Sequence, residues 1–124
     1  MSQKLNLKPV RWVPPSYDEL IAFPRDVQHA IGVALMIAQA GGKAPSATPL
    51  KGFKGASVLE VVEDHDGDTY RAVYTVRFAG VIYMLHAFQK KSKKGIKTPK
   101  HVIELIKARL KTAEQDYRKQ KADK

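Results

Sequence analysis

The chain has 124 residues, 44% of them hydrophobic, which suits one domain (residues 1–124) with a modest core and is too apolar for a disordered tail. It carries 22 Lys and Arg against 12 Asp and Glu, a formal charge of +10, and no cysteine. That excludes a disulfide framework, a thiolate metal site and cysteine nucleophile chemistry. Its apolar runs are too short to cross a bilayer and the start, MSQKLNLKPVRW, lacks an apolar signal core, so a cytoplasmic protein with an anionic partner is expected.

In chain order, Val10–Val13 is a short extended segment stopped by Pro14-Pro15. Ser16-Tyr17-Asp18-Glu19 has the form of a capping box, with the Ser16 hydroxyl accepting from the Glu19 amide and Glu19 reaching back. The short helix it opens breaks near Phe23-Pro24. A second helix follows, with Val27, Ala30, Ile31, Ala34, Leu35 and Ala38 at helical spacing and Gly41-Gly42 as its stop. Residues 41–56 are rich in Gly, Pro and Lys and read as a loop. Gly42-Lys43 is no phosphate loop, because position 37 is Ile and Ala44 stands where Ser or Thr is required.

From Ser57 the pattern becomes that of strands. Val58–Glu63 ends in the turn Asp64-His65-Asp66-Gly67-Asp68, and Thr69–Phe78 and Val81–Phe88 form a hairpin across a tight Ala79-Gly80 turn. After Thr98-Pro99 a last helix carries Ile103, Ile106, Leu110, Ala113 and Tyr117 as an apolar stripe. The order β-α-α-β-β-β-α makes an α+β fold, two N-terminal helices and a C-terminal helix on a small, mostly antiparallel sheet.

The charge is uneven. Residues 1–62 hold seven basic and four acidic side chains, residues 63–124 fifteen and eight, and the excess peaks in an acid-free run of Lys90, Lys91, Lys93, Lys94, Lys97 and Lys100. Such a run is either a solubilising loop or an anion site; RNA or DNA fits it better than a membrane surface, since no amphipathic helix with exposed aromatics accompanies it. A tight hairpin pairs Tyr74 with Leu85 and Ala72 with Ala87 on the core face. Val73 with His86 and Arg71 with Phe88 then share the other face, expected to be open, where arginine, an aromatic and converging lysines suit a phosphodiester beside a stacked base. The bland alternatives are a surface arginine, a half-buried strand histidine and a phenylalanine closing the core edge.

Other chemistry finds no support in the sequence. The Asp64–Asp68 cluster is no calcium loop, because Thr69 and Thr75 occupy the positions that need Gly and Glu. His29, His65 and His101 lack zinc-ligand spacing, and neither a Gly-x-Ser-x-Gly elbow nor a Ser/His/Asp set is present.

The segment Tyr70–Leu110, with Leu85-His86-x-Phe88-x-Lys90-Lys91 followed by Thr98-Pro99 and a helix, resembles the phage-derived Gp49-like, HigB-type toxins of the RelE/ParE superfamily. Arg11-Trp12, Phe23-Pro24, Pro49-Leu50-Lys51-Gly52 and Val58-Leu59-Glu60 extend the likeness to roughly residues 8–115. The resemblance implies a RelE-like fold and the toxin of a type II toxin–antitoxin pair, an endoribonuclease that cleaves mRNA on the ribosome without metal or cofactor. Its implied partners are the ribosome, mRNA and a helix-turn-helix (HigA-type) antitoxin. Arg71 would clamp the scissile phosphate, Lys90, Lys91 and Lys93 would bind phosphate or transfer a proton, and His86 would be a reserve acid or base. Phe88 would stack, and Lys51, Lys54, Lys94, Lys97 and Lys100 would contact RNA. A gyrase-inhibiting ParE-like toxin and a non-catalytic nucleic-acid-binding phage protein are the alternatives.

Overall fold

The structure, a computed structural model, describes residues 6–90 and 98–123. The elements run β1 (Val10–Trp12), α1 (Ser16–Ile21), α2 (Arg25–Gln39), β2 (Ala47–Pro49), β3 (Val58–His65), β4 (Asp68–Thr75), β5 (Ile82–Lys90) and α3 (Lys100–Ala122). The sheet order is β1-β5-β4-β3-β2, with β1 parallel to β5 and every other pairing antiparallel. The expected α+β architecture is therefore present, with one addition. Ala47–Pro49, inside the segment read as a loop, pairs with Val61, Glu60 and Leu59 as an edge strand. Its Gly- and Pro-rich flanks hide it, and Pro49 is tolerated because only one side of an edge strand is paired.

Local chemistry sets the boundaries. α2 ends in a Schellman-type closure, with Gly41 at φ +93° and the Gly42 amide donating to the Ile37 carbonyl at 2.9 Å. Asp66 and Gly67, both at positive φ, join β3 to β4 in a two-residue turn suited to the sheet's twist. The capping box does not form. Pro15 precedes α1 without a side-chain cap, and the buried Ser16 hydroxyl donates instead to the Met84 carbonyl at 3.0 Å. Glu19 is drawn to partners on β5 and α3 that are distant in sequence.

The β4–β5 hairpin also departs from expectation. Its strands stop at Thr75 and resume at Ile82, because the Val76 amide donates to the Ser57 carbonyl and the Arg77 amide to the Thr75 hydroxyl. Arg71–Phe88, Ala72–Ala87 and Val73–His86 pair as expected, but Tyr74 then faces Met84 and Thr75 faces Tyr83. This slip is a β-bulge on β5, which places one extra residue against β4. Its effect on side chains is direct: Met84 and Ala87, three residues apart, fall in the same core cluster.

Two apolar clusters fill the two faces of the sheet. On one, Leu59, Val61, Ala72, Tyr74, Ile82 and Met84 pack with Ile31, Leu35 and Ala38 of α2. On the other, Val58, Val73, Tyr83 and Leu85 pack with Ile106, Leu110 and Ala113 of α3. Among the described residues no helix is long and apolar enough to cross a membrane.

Ile106 is fully buried, whereas Leu105 beside it is 38% exposed. Ile106→Ala is expected to lower stability by about 2–5 kcal/mol through lost burial and a residual cavity. Leu105→Ala should change it by less than about 0.5 kcal/mol. Urea unfolding of the two variants checks this; equal losses would contradict the assigned core face.

Candidate functional site

The face of the sheet that meets α3 gathers the polar residues of interest. Arg71 on β4 lies opposite Phe88 on β5, Val73 opposite His86, and Thr69 opposite Lys90. Glu60, on the neighbouring β3 and opposite Val73, completes the row. Arg71, His86, Phe88 and Lys90 thus come together as the sequence suggests. The openness of this wall does not: Arg71 retains 9% of its exposure, His86 8% and Lys90 7%.

The cause for Arg71 is a carboxylate that the strand pattern gave no reason to single out. Its Nη1 donates to Glu60 Oε1 at 2.8 Å, and Glu60 Oε2 accepts from the Thr98 hydroxyl, just before α3, at 2.9 Å. A buried guanidinium needs such a partner, because removing a charge from water without compensation is very costly. Lys90 feels the same neighbours. Burial and the Arg71 guanidinium push its ammonium below the ordinary lysine range, with Glu60 opposing.

His86 is the centre of a second network. Glu19 Oε1 lies 2.9 Å from His86 Nδ1 and accepts from the Ala87 amide at 3.2 Å. Arg109 of α3 grips both Glu19 oxygens, through Nη1 at 2.7 Å and Nη2 at 3.0 Å, and its Nη1 also donates to the Leu85 carbonyl at 3.0 Å. Phe88 stacks on the His86 ring, with centroids 4.9 Å apart and planes 17° from parallel. One face of the expected base-stacking surface is thereby already occupied.

These contacts set the protonation. Burial alone would raise the Glu19 pKa, but the hydrogen bonds from Arg109, His86 and the Ala87 amide outweigh it and hold the carboxyl below its usual range. Burial lowers the His86 pKa; Glu19 opposes that shift and Arg109 reinforces it. The imidazole is therefore neutral near pH 7.

The other site expectations distribute as follows. Lys51 and Lys54 are exposed on the segment between β2 and β3, and Lys100 is exposed in the first turn of α3. Gly52, at φ +103°, brings that segment against Ile103, where a Cβ would stand 3.3 Å from the isoleucine Cγ2. Lys51 and Lys100 accordingly border one part of the surface. Lys91, Lys93, Lys94 and Lys97 lie outside the described residues. Among the described residues no group of three or more His, Asp or Glu is placed to hold a metal ion.

Glu19, Glu60, Thr98 and Arg109 are the participants that the sequence reading missed. Glu19 carried a local explanation as a cap, and Arg109 lies on the last helix outside its apolar stripe. A separate polar cluster ties β1 to α3. Asp116 Oδ2 accepts from Arg11 Nε at 2.8 Å and from the Tyr83 hydroxyl at 2.7 Å, beside a cleft of about 450 Å³. Burial and the Asp116 carboxylate raise the Tyr83 pKa to about 12.

The family model described as phage derived protein Gp49-like (DUF891) matches residues 18–111, a stretch that contains both networks around Arg71 and His86. Among solved structures, the toxin–antitoxin complex RelBE2 from Mycobacterium tuberculosis contains a chain that is 15% identical. The likeness covers 73% of this chain and 100% of that chain, with a TM-score of 0.46. No curated protein matches the sequence.

Because the folded-state pKa of Glu19 is depressed, its ion pair stabilises the protein fully above the ordinary glutamate range, about pH 4.3. That contribution is lost as pH falls through the depressed value. Urea midpoints measured between about pH 6 and 3 are expected to drop less steeply for Glu19→Gln than for the unmodified chain. Part of the slope should remain, because Asp116 is also depressed, by the Tyr83 and Arg11 hydrogen bonds. Parallel slopes would contradict the role of the pair.

Proposed function

The chain belongs to the phage-derived Gp49-like family, and from that premise we propose that it is the toxin of a type II toxin–antitoxin pair, a ribosome-dependent endoribonuclease. What carries the reading is the meeting of Arg71, His86, Phe88 and Lys90 on one face of β4 and β5, inside the stretch that the family matches. The same residues belong to the Leu85-His86-x-Phe88-x-Lys90-Lys91 motif on which the likeness to HigB-type toxins rests.

The reaction asks for little machinery. The 2′-hydroxyl attacks the adjacent phosphorus, the bond to the 5′-oxygen breaks, and the products are a 2′,3′-cyclic phosphate and a 5′-hydroxyl. Three tasks follow: accepting the 2′ proton, stabilising the phosphorane charge and protonating the leaving oxygen. Arg71, oriented by Glu60, supplies a fork-shaped donor for the phosphate. Lys90, with its lowered pKa, is suited to bind phosphate or give up a proton. Lys91 and Lys93 share that assignment, and proton transfer falls to one of the lysines or to His86.

Lys51, Lys54 and Lys100, with Lys94 and Lys97, are assigned to ribosomal RNA through sequence-independent phosphate contacts. The ribosome would hold the message in the attack geometry, and orientation of that kind contributes on the order of 7–11 kcal/mol at best. The further partner is an antitoxin of helix-turn-helix type, and the cytoplasm is where this pair would act.

Primer extension on a reporter mRNA after induction tests the reading. The expected result is growth arrest with cuts phased to codons, reduced about 10²–10³-fold in Arg71→Ala once circular dichroism shows that the variant folds. Intact mRNA with a DNA-damage response would instead support a gyrase inhibitor. Intact mRNA without growth arrest would support a non-catalytic nucleic-acid-binding protein.

A further inference from the structure

We propose that Glu19 and Arg109 form a positioning clamp that holds His86 in its Nδ1–H tautomer, leaving Nε2 as the base that takes the 2′-hydroxyl proton. This assignment rests on the nuclease reading above and narrows its choice of proton acceptor to one atom.

Donor counting fixes the tautomer. A guanidinium Nη nitrogen carries two hydrogens. Those of Arg109 Nη1 are directed to Glu19 Oε1 at 2.7 Å and to the Leu85 carbonyl at 3.0 Å. The 2.9 Å contact between Nη1 and His86 Nδ1 would be a hydrogen bond only with Nδ1 accepting a hydrogen that Nη1 already gives to Glu19 or Leu85, and Nδ1 would then face the Glu19 carboxylate lone pair to lone pair. The arrangement that satisfies every donor and acceptor has Nδ1 carrying its own hydrogen and donating it to Glu19 Oε1 at 2.9 Å. In a neutral imidazole the other nitrogen is left with a lone pair. Among the described residues Nε2 has no hydrogen-bond partner.

The clamp exists because of the strand geometry. β1 covers the edge of β5 only through Met84. Beyond it, the Leu85 carbonyl and the Ala87 amide flank His86 and are taken by Arg109 and Glu19 respectively. Strand backbone requires such partners, and a bulge beside them re-aims a side chain. His86 is fixed from three sides: by Glu19 from α1, by Arg109 from α3, and by the Phe88 ring stacked on it. Among the described residues its partner across the ladder is Val73, with Glu60 beyond it on β3, Arg71 two residues along β4 and Lys90 farther along β5.

The chemistry balances. Nε2 accepts the 2′ proton as the 2′-oxygen bonds to phosphorus, and the departing 5′-oxygen takes a proton from solvent. The imidazolium formed sits beside the Glu19 carboxylate, as the carboxylate–histidine pair of a hydrolase does. Glu19 and Arg109 touch no reacting atom, so they are positioning residues.

Two measurements test the proposal. Long-range proton–nitrogen correlation spectra of the unmodified protein at neutral pH should show His86 protonated on Nδ1 and bare on Nε2. Cleavage of a reporter mRNA on purified ribosomes should fall at least about 100-fold in His86→Ala and be unchanged in His29→Ala, an exposed histidine of α2. In Glu19→Gln, loss of the carboxylate charge should move the His86 titration, and the acid limb of the cleavage profile with it, to lower pH. A purely structural role would reduce the rate at every pH and leave that limb in place. An Nε2–H tautomer, an unmoved limb or an active His86→Ala would each overturn the clamp while the nuclease reading stands. An unmodified chain that leaves ribosome-bound mRNA intact would overturn both.

Discussion

A strand edge without a partner strand governs the candidate site. β1 has three residues and pairs with β5 only as far as Met84. The next backbone groups on that edge, the Leu85 carbonyl and the Ala87 amide, would lack partners without substitutes. An acid from α1 and a base from α3 supply them, and in doing so bond to each other. Leaving a buried polar group unpaired costs about 1–3 kcal/mol each, so the helices are tied to the sheet at that point. The histidine between the two backbone groups is the residue this arrangement immobilises.

The same logic runs along the whole of α3. Its fully apolar contribution is narrow: Ile106, Leu110 and Ala113 are its buried residues. Polar links supplement it at intervals. Thr98 bonds to Glu60, Arg109 to Glu19, Asp116 to Arg11 and Tyr83, and the Tyr117 hydroxyl to the Ala79 carbonyl. Two of these links also hold the groups assigned to chemistry, Arg71 through Glu60 and His86 through Glu19 and Arg109. Stability and site geometry thereby share the same hydrogen bonds. The paired carboxylates also offset the clustered guanidinium and ammonium groups, which would otherwise repel one another.

Much of this was legible from residue patterns. The β-branched run Val58–Glu63 and the hairpin segments marked the strands, and the periodicity of α2 and α3 located those helices and their buried faces. Register counted back from the hairpin placed Arg71, His86 and Phe88 on one face. That count succeeded for an incomplete reason. The turn is longer than two residues and a bulge intervenes, yet the pairs from Arg71 to Val73 are those expected of the tight hairpin. What could not be read depended on partners far apart in sequence. Glu19 reaches Arg109 across 90 positions and outcompetes the local cap. Glu60 sits in a β-branched run that offers no sign of its guanidinium partner. An open cationic wall was inferred from the hairpin register and the lysine run, whereas burial demanded that Arg71 be given a carboxylate partner.

The claim that the Glu19–Arg109 pair organises the β5 edge is tested most directly by a double-mutant cycle. Unfolding free energies of the unmodified chain, Glu19→Gln, Arg109→Met and the double variant, measured in urea at pH 7, isolate the coupling between the two side chains. The account predicts a favourable coupling of about 1–3 kcal/mol, as expected for contacting groups in one network. Additive losses, with no coupling beyond about 0.3–0.5 kcal/mol, would contradict it.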